Sequence, residues 1–92
     1  MLKLKLTWEM EDGSKFDEWT RPIELAVAER ELYSGKSIIK VLREEETPSE
    51  HLLLYLAHKI HQRLSDKPIG NFDQWSKKVV DVGMPEFDIP KA

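Results

Sequence analysis

Leu2-Lys3-Leu4-Lys5-Leu6-Thr7-Trp8-Glu9-Met10, followed by Glu11-Asp12-Gly13-Ser14-Lys15-Phe16, decides how the chain begins to fold. Leu2, Leu4, Leu6, Trp8 and Met10 share one parity and Lys3, Lys5, Thr7 and Glu9 the other, the period-two signature of a strand with one buried face. Asp12-Gly13 marks a hairpin turn, and its loop length settles what faces what. A two-residue loop would place Phe16 on the polar face beside Glu9. A three-residue loop, Glu11-Asp12-Gly13, with Gly13 left-handed in a bulge, pairs Trp8 with Phe16 and Met10 with Ser14. Burying Phe16 is worth on the order of 2 kcal/mol, so the three-residue loop is expected. Trp19 then falls on the outer face, or the strand has ended before it.

Outward from the hairpin the pattern turns helical. Thr20-Arg21-Pro22 opens a first helix, with proline in the first turn where its missing N–H costs nothing. Ile23, Ala26 and Val27 form its expected apolar stripe, flanked by Leu25, Ala28 and Leu32, and Ser34-Gly35 stops it. Residues 37–43 carry β-branched side chains, yet Ile38, Val41 and Leu42 sit at helical spacing, which favours a short helix. Thr47-Pro48-Ser49-Glu50 reads as a capping box for a helix over 48–65, with Thr47 as the cap. Leu53, Leu56, Ala57, Ile60 and Leu64 form its stripe, and Leu52, Leu54 and Tyr55 widen it into a central helix. Lys67-Pro68-Ile69-Gly70 breaks it. Asn71-Phe72-Asp73-Gln74 is a second capping box, and a last helix is expected to bury Phe72, Trp75 and Val79 before Gly83-Met84-Pro85 ends it. The expected fold is a small, mostly helical α+β domain of three to four helices with an N-terminal β-hairpin. Residues 1–83 form the domain and 84–92, with Pro85 and Pro90, a flexible C-terminal tail.

Composition bounds what this domain does. The 92 residues suit one small domain of modest stability. Fourteen basic against seventeen acidic residues give a net charge of −3, with no basic stripe to neutralise phosphates, which speaks against nucleic-acid binding. There is no cysteine, hence no disulfide and no thiolate metal site. No apolar run approaches the ~20 residues of a membrane span, and the alternating N-terminus is unlike a signal peptide, so the expectation is a cytosolic domain away from membranes.

Catalytic constellations do not assemble from these residues. His58 and His61 are spaced to chelate on one helix face, but His51 is two turns earlier and no third ligand is evident. Glu50-His51 lacks the second histidine of a zinc-protease helix, no serine sits in a Gly-x-Ser-x-Gly elbow, and the four glycines are isolated. Asp17 and Glu18 are strand neighbours that point to opposite faces. No enzyme activity, metal or cofactor is expected. Trp8, Phe16, Phe72 and Trp75 read as core. Trp19, Phe87 and Ile89 have no evident core position and are the candidate partner contacts. Strand 2–10, left with one unpaired edge at Lys3, Lys5 and Thr7, is a candidate for adding a strand from another chain or a second copy.

The order of these elements resembles a known family. A hairpin around Asp12-Gly13 leads through Thr20-Arg21-Pro22 into a helix bearing Glu29-Arg30. A central helix reading Tyr55-Leu56-Ala57-His58 precedes a short helix reading Asn71-Phe72-Asp73-Gln74-Trp75, and the chain ends in an acidic and apolar tail closed by Lys91-Ala92. This looks like the tail assembly chaperones of long-tailed bacteriophages and prophages. The resemblance implies a non-enzymatic protein in the cytoplasm of a bacterial host. It implies binding to the tape-measure protein, recruitment of tail-tube subunits, and a longer form of the same protein made by ribosomal frameshifting. A small interaction adaptor and a phage-encoded regulator are the alternatives.

Overall fold

The computed structural model describes residues 2–44 and 49–88. It is an α+β fold: strands β1 (Lys3–Met10) and β2 (Lys15–Trp19), helices α1 (Pro22–Tyr33), α2 (Ile38–Glu44), α3 (Glu50–Leu64) and α4 (Phe72–Ser76), then strands β3 (Val79–Val82) and β4 (Glu86–Asp88). The strands form one antiparallel sheet with β1 in the middle, β2 on one side, and β3 and β4 in succession on the other.

The hairpin takes the three-residue loop. Trp8 pairs with Phe16, and their rings stack with centroids 5.0 Å apart and planes 10° from parallel. Met10 N–H donates to Ser14 O at 2.8 Å and Gly13 N–H to Met10 O at 3.0 Å. Gly13 has φ +92°, the left-handed value the bulge needs and a side chain would resist. The Asp12 carboxylate accepts the Ser14 N–H at 2.9 Å, which fixes the turn. All five alternating apolar residues, Leu2 to Met10, are buried.

The helices lie on that buried face. Leu52, Leu56 and Ile60 of α3 are fully buried with Leu4, Leu6, Ile38 and Trp75. Each such aliphatic side chain contributes roughly 1.5–3 kcal/mol on burial. α2 forms as the spacing favours, and its first free amide, Ile38 N–H, is capped at 2.7 Å by the Glu29 carboxylate of α1. α4 starts in the expected box: Asn71 Oδ1 accepts from Gln74 N–H at 2.9 Å and Gln74 Oε1 from Asn71 N–H at 3.3 Å.

Four expectations are corrected. α1 turns Leu25 and Ala28 inward, with Leu32 packed against the core, while Ile23 is exposed; the stripe is rotated because Glu24 is drawn inward to Arg63. α3 is capped by Ser49, whose Oγ accepts Leu52 N–H at 3.1 Å, and so begins later than a Thr47 cap implies; Thr47 and Pro48 lie outside the described residues. Leu64, at the other end of that helix, is exposed. The last helix stops at Ser76, and Val79-Val80-Asp81-Val82 is a strand, because β-branched residues suit a pleated, half-buried surface better than a helix.

The fourth correction joins the tail and the strand edge. Lys3 pairs with Asp88, Leu4 with Phe87 and Lys5 with Glu86, and Gly83 N–H donates to Thr7 O at 2.9 Å. Residues 86–88, expected in a flexible tail, therefore belong to the sheet. Lys3, Lys5 and Thr7 are accordingly not a free edge: β4 pairs with Lys3 and Lys5, and Thr7 O is taken by Gly83. The two partners differ in register by one residue, a bulge spanning Gly83-Met84-Pro85.

Candidate partner-binding surface

The histidines singled out by spacing are structural. His58 is buried on α3, and its Nε2–H donates to Gly70 O at 3.0 Å, the carbonyl being able only to accept. His61 Nδ1 accepts the Trp75 Nε1–H at 2.9 Å. Burial first, then the proximity of the two imidazoles, depresses the His61 pKa below its ordinary value; burial does the same for His58. The His61 bond requires a neutral ring, since a proton on His61 Nδ1 would displace the indole N–H, whereas the His58 bond to Gly70 O is made by either form. Among the described residues no group of three histidines, cysteines, aspartates or glutamates is placed to share a metal ion.

The two segments that carry the family resemblance meet here. Phe72 lies against Tyr55 and His58 with ring centroids 6.3 Å and 5.9 Å apart, and Trp75 lies 5.1 Å from His58. Tyr55-Leu56-Ala57-His58 and Phe72-x-x-Trp75 are thus two halves of one packing contact between α3 and α4.

Trp19 is where the structure leaves an aromatic ring in the open. It is 37% exposed on the outer face of the sheet, opposite Lys5, whose ammonium sits 5.9 Å from the ring centroid. Its backbone is held on both sides: Trp19 N–H donates to Glu18 Oε1 at 3.0 Å, and Trp19 O accepts from Arg63 Nη2 at 3.0 Å. The Arg63 guanidinium also forks onto the nearly buried Glu24 carboxylate at 3.0 and 3.2 Å. One arginine therefore ties together the end of β2, the start of α1 and the end of α3. Glu24 in turn accepts the Arg21 N–H at 2.7 Å, closing the first turn of α1. Beside this knot an open cleft of about 700 Å³ is lined by Trp19, Pro22 and Leu64, with Lys3, Arg21 and Asp88 among its polar residues. Three apolar residues thus sit among charges of both signs, beside the ion pair of half-buried Arg63 with buried Glu24.

Asp17 and Glu18 do point apart: Asp17 pairs with Lys5 at 3.4 Å on the outer face, while Glu18 lies opposite Leu6. Phe87, on β4 opposite Leu4, is half-exposed at the rim of the helix-covered face, and Ile89 lies outside the described residues. Trp19 and Phe87 are thus well separated in the sheet, on its two outer strands and opposite faces. Reading the residues singly missed that Val80, on β3, and Met84, between β3 and β4, lie largely exposed on the same side of the sheet as β4. The available signal was the β-branched run at 79–82, which the helical capping box just before it masked.

No protein-family model matches the chain, and no similar protein is found among the curated proteins or the solved structures.

Proposed function

We propose that this chain is a non-enzymatic protein-binding domain that serves as a tail assembly chaperone, holding the tape-measure protein and helping to recruit tail-tube subunits. The resemblance carried by Tyr55-Leu56-Ala57-His58 and Asn71-Phe72-Asp73-Gln74-Trp75 supplies the identity of the partners. The observation that carries the binding role is the Trp19 cleft: a rigidly held, exposed tryptophan beside Pro22 and exposed Leu64. Tape-measure proteins expected from the resemblance are long helices, and a cleft of this kind suits the apolar stripe of an amphipathic helix. The charge balance and the absence of a helix long and apolar enough to cross a membrane among the described residues fit a partner that is neither nucleic acid nor bilayer.

The test starts in the genome. A very long coiled-coil-rich frame should lie immediately downstream, and co-expression with its product should yield a complex that survives purification. Trp19→Ala should weaken that complex by roughly tenfold or more, the loss typical of an anchoring tryptophan, without changing the thermal melt. No such neighbouring frame, or a complex indifferent to Trp19, refutes the reading.

The same reading predicts a frameshifted product, made at a slippery heptamer of the form X-XXY-YYZ near the 3′ end of the frame; codon degeneracy permits one at Ser76-Lys77-Lys78 and another at Ile89-Pro90-Lys91. Slipping at Ser76-Lys77-Lys78 would replace β3 and β4 and strip β1 of its partners along Lys3, Thr7 and Glu9. Slipping at Ile89-Pro90-Lys91 keeps every described element. The heptamer is therefore expected at the later site, followed by an open −1 frame.

A further inference from the structure

A helix of five residues does not hold itself, so α4 stays folded only as long as something fastens it to the domain. Its capping box and the Lys78 N–H to Trp75 O bond are local and travel with it. Among the described residues one hydrogen bond joins α4 to another element: Trp75 Nε1–H donates to His61 Nδ1 of α3 at 2.9 Å. Trp75 is 1% exposed, so its indole donor has no water to turn to. Trp8, buried beside the same imidazole with ring centroids 6.2 Å apart, already has an indole Nε1–H without an acceptor. Losing the His61 acceptor would leave two such donors in one cluster, each costly to keep buried.

That acceptor is the atom acid takes. With its own proton on Nε2, His61 has only Nδ1 left to protonate, which turns the acceptor into a donor facing a donor. Turning the ring over offers no relief, because both nitrogens of an imidazolium donate. A proton can reach the ring, which is half-buried and lines an open cleft of about 320 Å³ with Glu11 and Asp12 of the hairpin loop and Lys78 beyond α4. Burial and His58, one turn back on α3, oppose the charged form, and Asp12 favours it; Glu11 and Lys78 carry opposite signs. The rings packed on it from the strands, Trp8 and Phe16, are uncharged. The bonds flanking α4 do not depend on that proton: His58 Nε2–H reaches Gly70 O in either form, and Glu11 N–H reaches Lys78 O.

We infer that the Trp75–His61 bond is a latch on α4, released when His61 takes up a proton. In the released state α4 swings out between its pins at Gly70 and Lys78 while the sheet and α3 stay folded. The swing uncovers Phe72 and Trp75 and the face of α3 they cover, at His51, Tyr55, His58 and His61. Because Trp75 is buried in the closed state, the released state is the minor one at neutral pH, and it grows as pH falls. The latch rests on neither the chaperone reading nor the Trp19 cleft.

Hydrogen exchange of the three indole N–H groups, followed by NMR on the full chain, tests it. Trp19, at the surface, serves as the reference for the pH dependence of unprotected exchange. Trp75 Nε1–H should be less protected than the amides of fully buried Leu4 and Leu56 and should exchange through an opening insensitive to low urea, the mark of a local event. From about pH 7.5 to about pH 5 that opening should grow about fivefold, the worth of one hydrogen bond, along the titration curve of the His61 ring. His61→Asn places a carbonyl oxygen that does not titrate near the position of Nδ1, and the Trp75 opening should then be flat with pH. Four results each overturn the inference: Trp75 exchanging only with the core amides and with their urea dependence, an opening that stays constant while His61 titrates, a His61 that remains neutral down to about pH 5, or a pH response that persists in His61→Asn.

Discussion

Replacing Gly83 with alanine puts a methyl group where the chain crosses closest to β1. That methyl would fall more than about 1 Å inside ordinary contact with Thr7 Oγ1, whereas its distances to Thr7 Cβ and O, 3.6 and 3.8 Å, are unremarkable van der Waals separations. Gly83 does not have a positive φ, so space and not backbone conformation is what demands glycine. Relief has two routes. Thr7 can leave its rotamer, at about 0.5–1.5 kcal/mol for a stiff β-branched side chain. Alternatively β3 can move off β1 and lose the Gly83 N–H to Thr7 O bond, at about 0.5–1.5 kcal/mol. With some repacking of neighbours, Gly83→Ala should cost about 1–3 kcal/mol and lower Tm by on the order of 10 °C. Thr7→Ala, which removes the clashing oxygen, should cost no more than about 1 kcal/mol by itself and rescue most of the loss in the double variant. The coupling energy from a urea-unfolding cycle should be about 1–2 kcal/mol. Thr7→Val, which retains a branched side chain, should rescue poorly. If the Gly83→Ala and Thr7→Ala effects simply add within about 0.5 kcal/mol, the close crossing is not what holds glycine at this position.

Three further outcomes follow from the packing. Leu56→Asp buries an unpaired carboxylate at a fully enclosed position and should abolish the cooperative melt followed by circular dichroism; a retained melt would mean that α3 packs on another face. Deleting 86–92 removes the partners of Lys3, Leu4 and Lys5, and should lower Tm by roughly 5–10 °C, whereas a shift under about 2 °C would make 86–88 an independent tail. His58 and His61 have pKa values depressed by burial, so the unfolded chain binds more protons than the folded one below their ordinary pKa. Their contribution is complete above about pH 6.5 and is lost as pH falls from there through the depressed folded values. Tm should therefore fall between pH 7 and pH 5, and less steeply in His61→Asn; equal slopes would remove His61 from the account.

The fold was most legible where local chemistry and burial agree. In the hairpin, Gly13 suits the left-handed bulge, Asp12 caps the turn, and the same loop length that satisfies both also stacks Phe16 on Trp8. Asn71 and Gln74 specify the start of α4 in the same local way. Where local and long-range demands differ, the sequence read alone misled. Ile23, Ala26 and Val27 are as apolar as their neighbours, but buried Glu24 has its ionic partner 39 residues away, and satisfying it turns Ile23 to solvent. Val79 reads equally well as the next inward residue of α4 or the first of a strand. It is half-buried against the core under either reading, so its apolarity could not decide. Its role is set by β1, whose amides need partners and lie some seventy residues earlier.

That single decision also moved the interaction surface. With 79–82 helical and 84–92 a tail, β1 keeps an open edge at Lys3, Lys5 and Thr7, and Phe87 has no place in the fold. With β3 and β4 returning along β1, those three residues become the middle of the sheet, and the exposed edge passes to β3 and β4, with Val80, Phe87 and, between the two strands, Met84. Lysines on a free edge would guard against association; valine, methionine and phenylalanine on one invite it. Trp19 kept its outward place under either topology, because its parity is counted from Trp8 and Phe16 within one hairpin and depends on nothing that closes later. The Trp19 cleft is accordingly the part of the surface that sequence could reach. The edge formed by β3 and β4 is the part that only the assembled sheet creates.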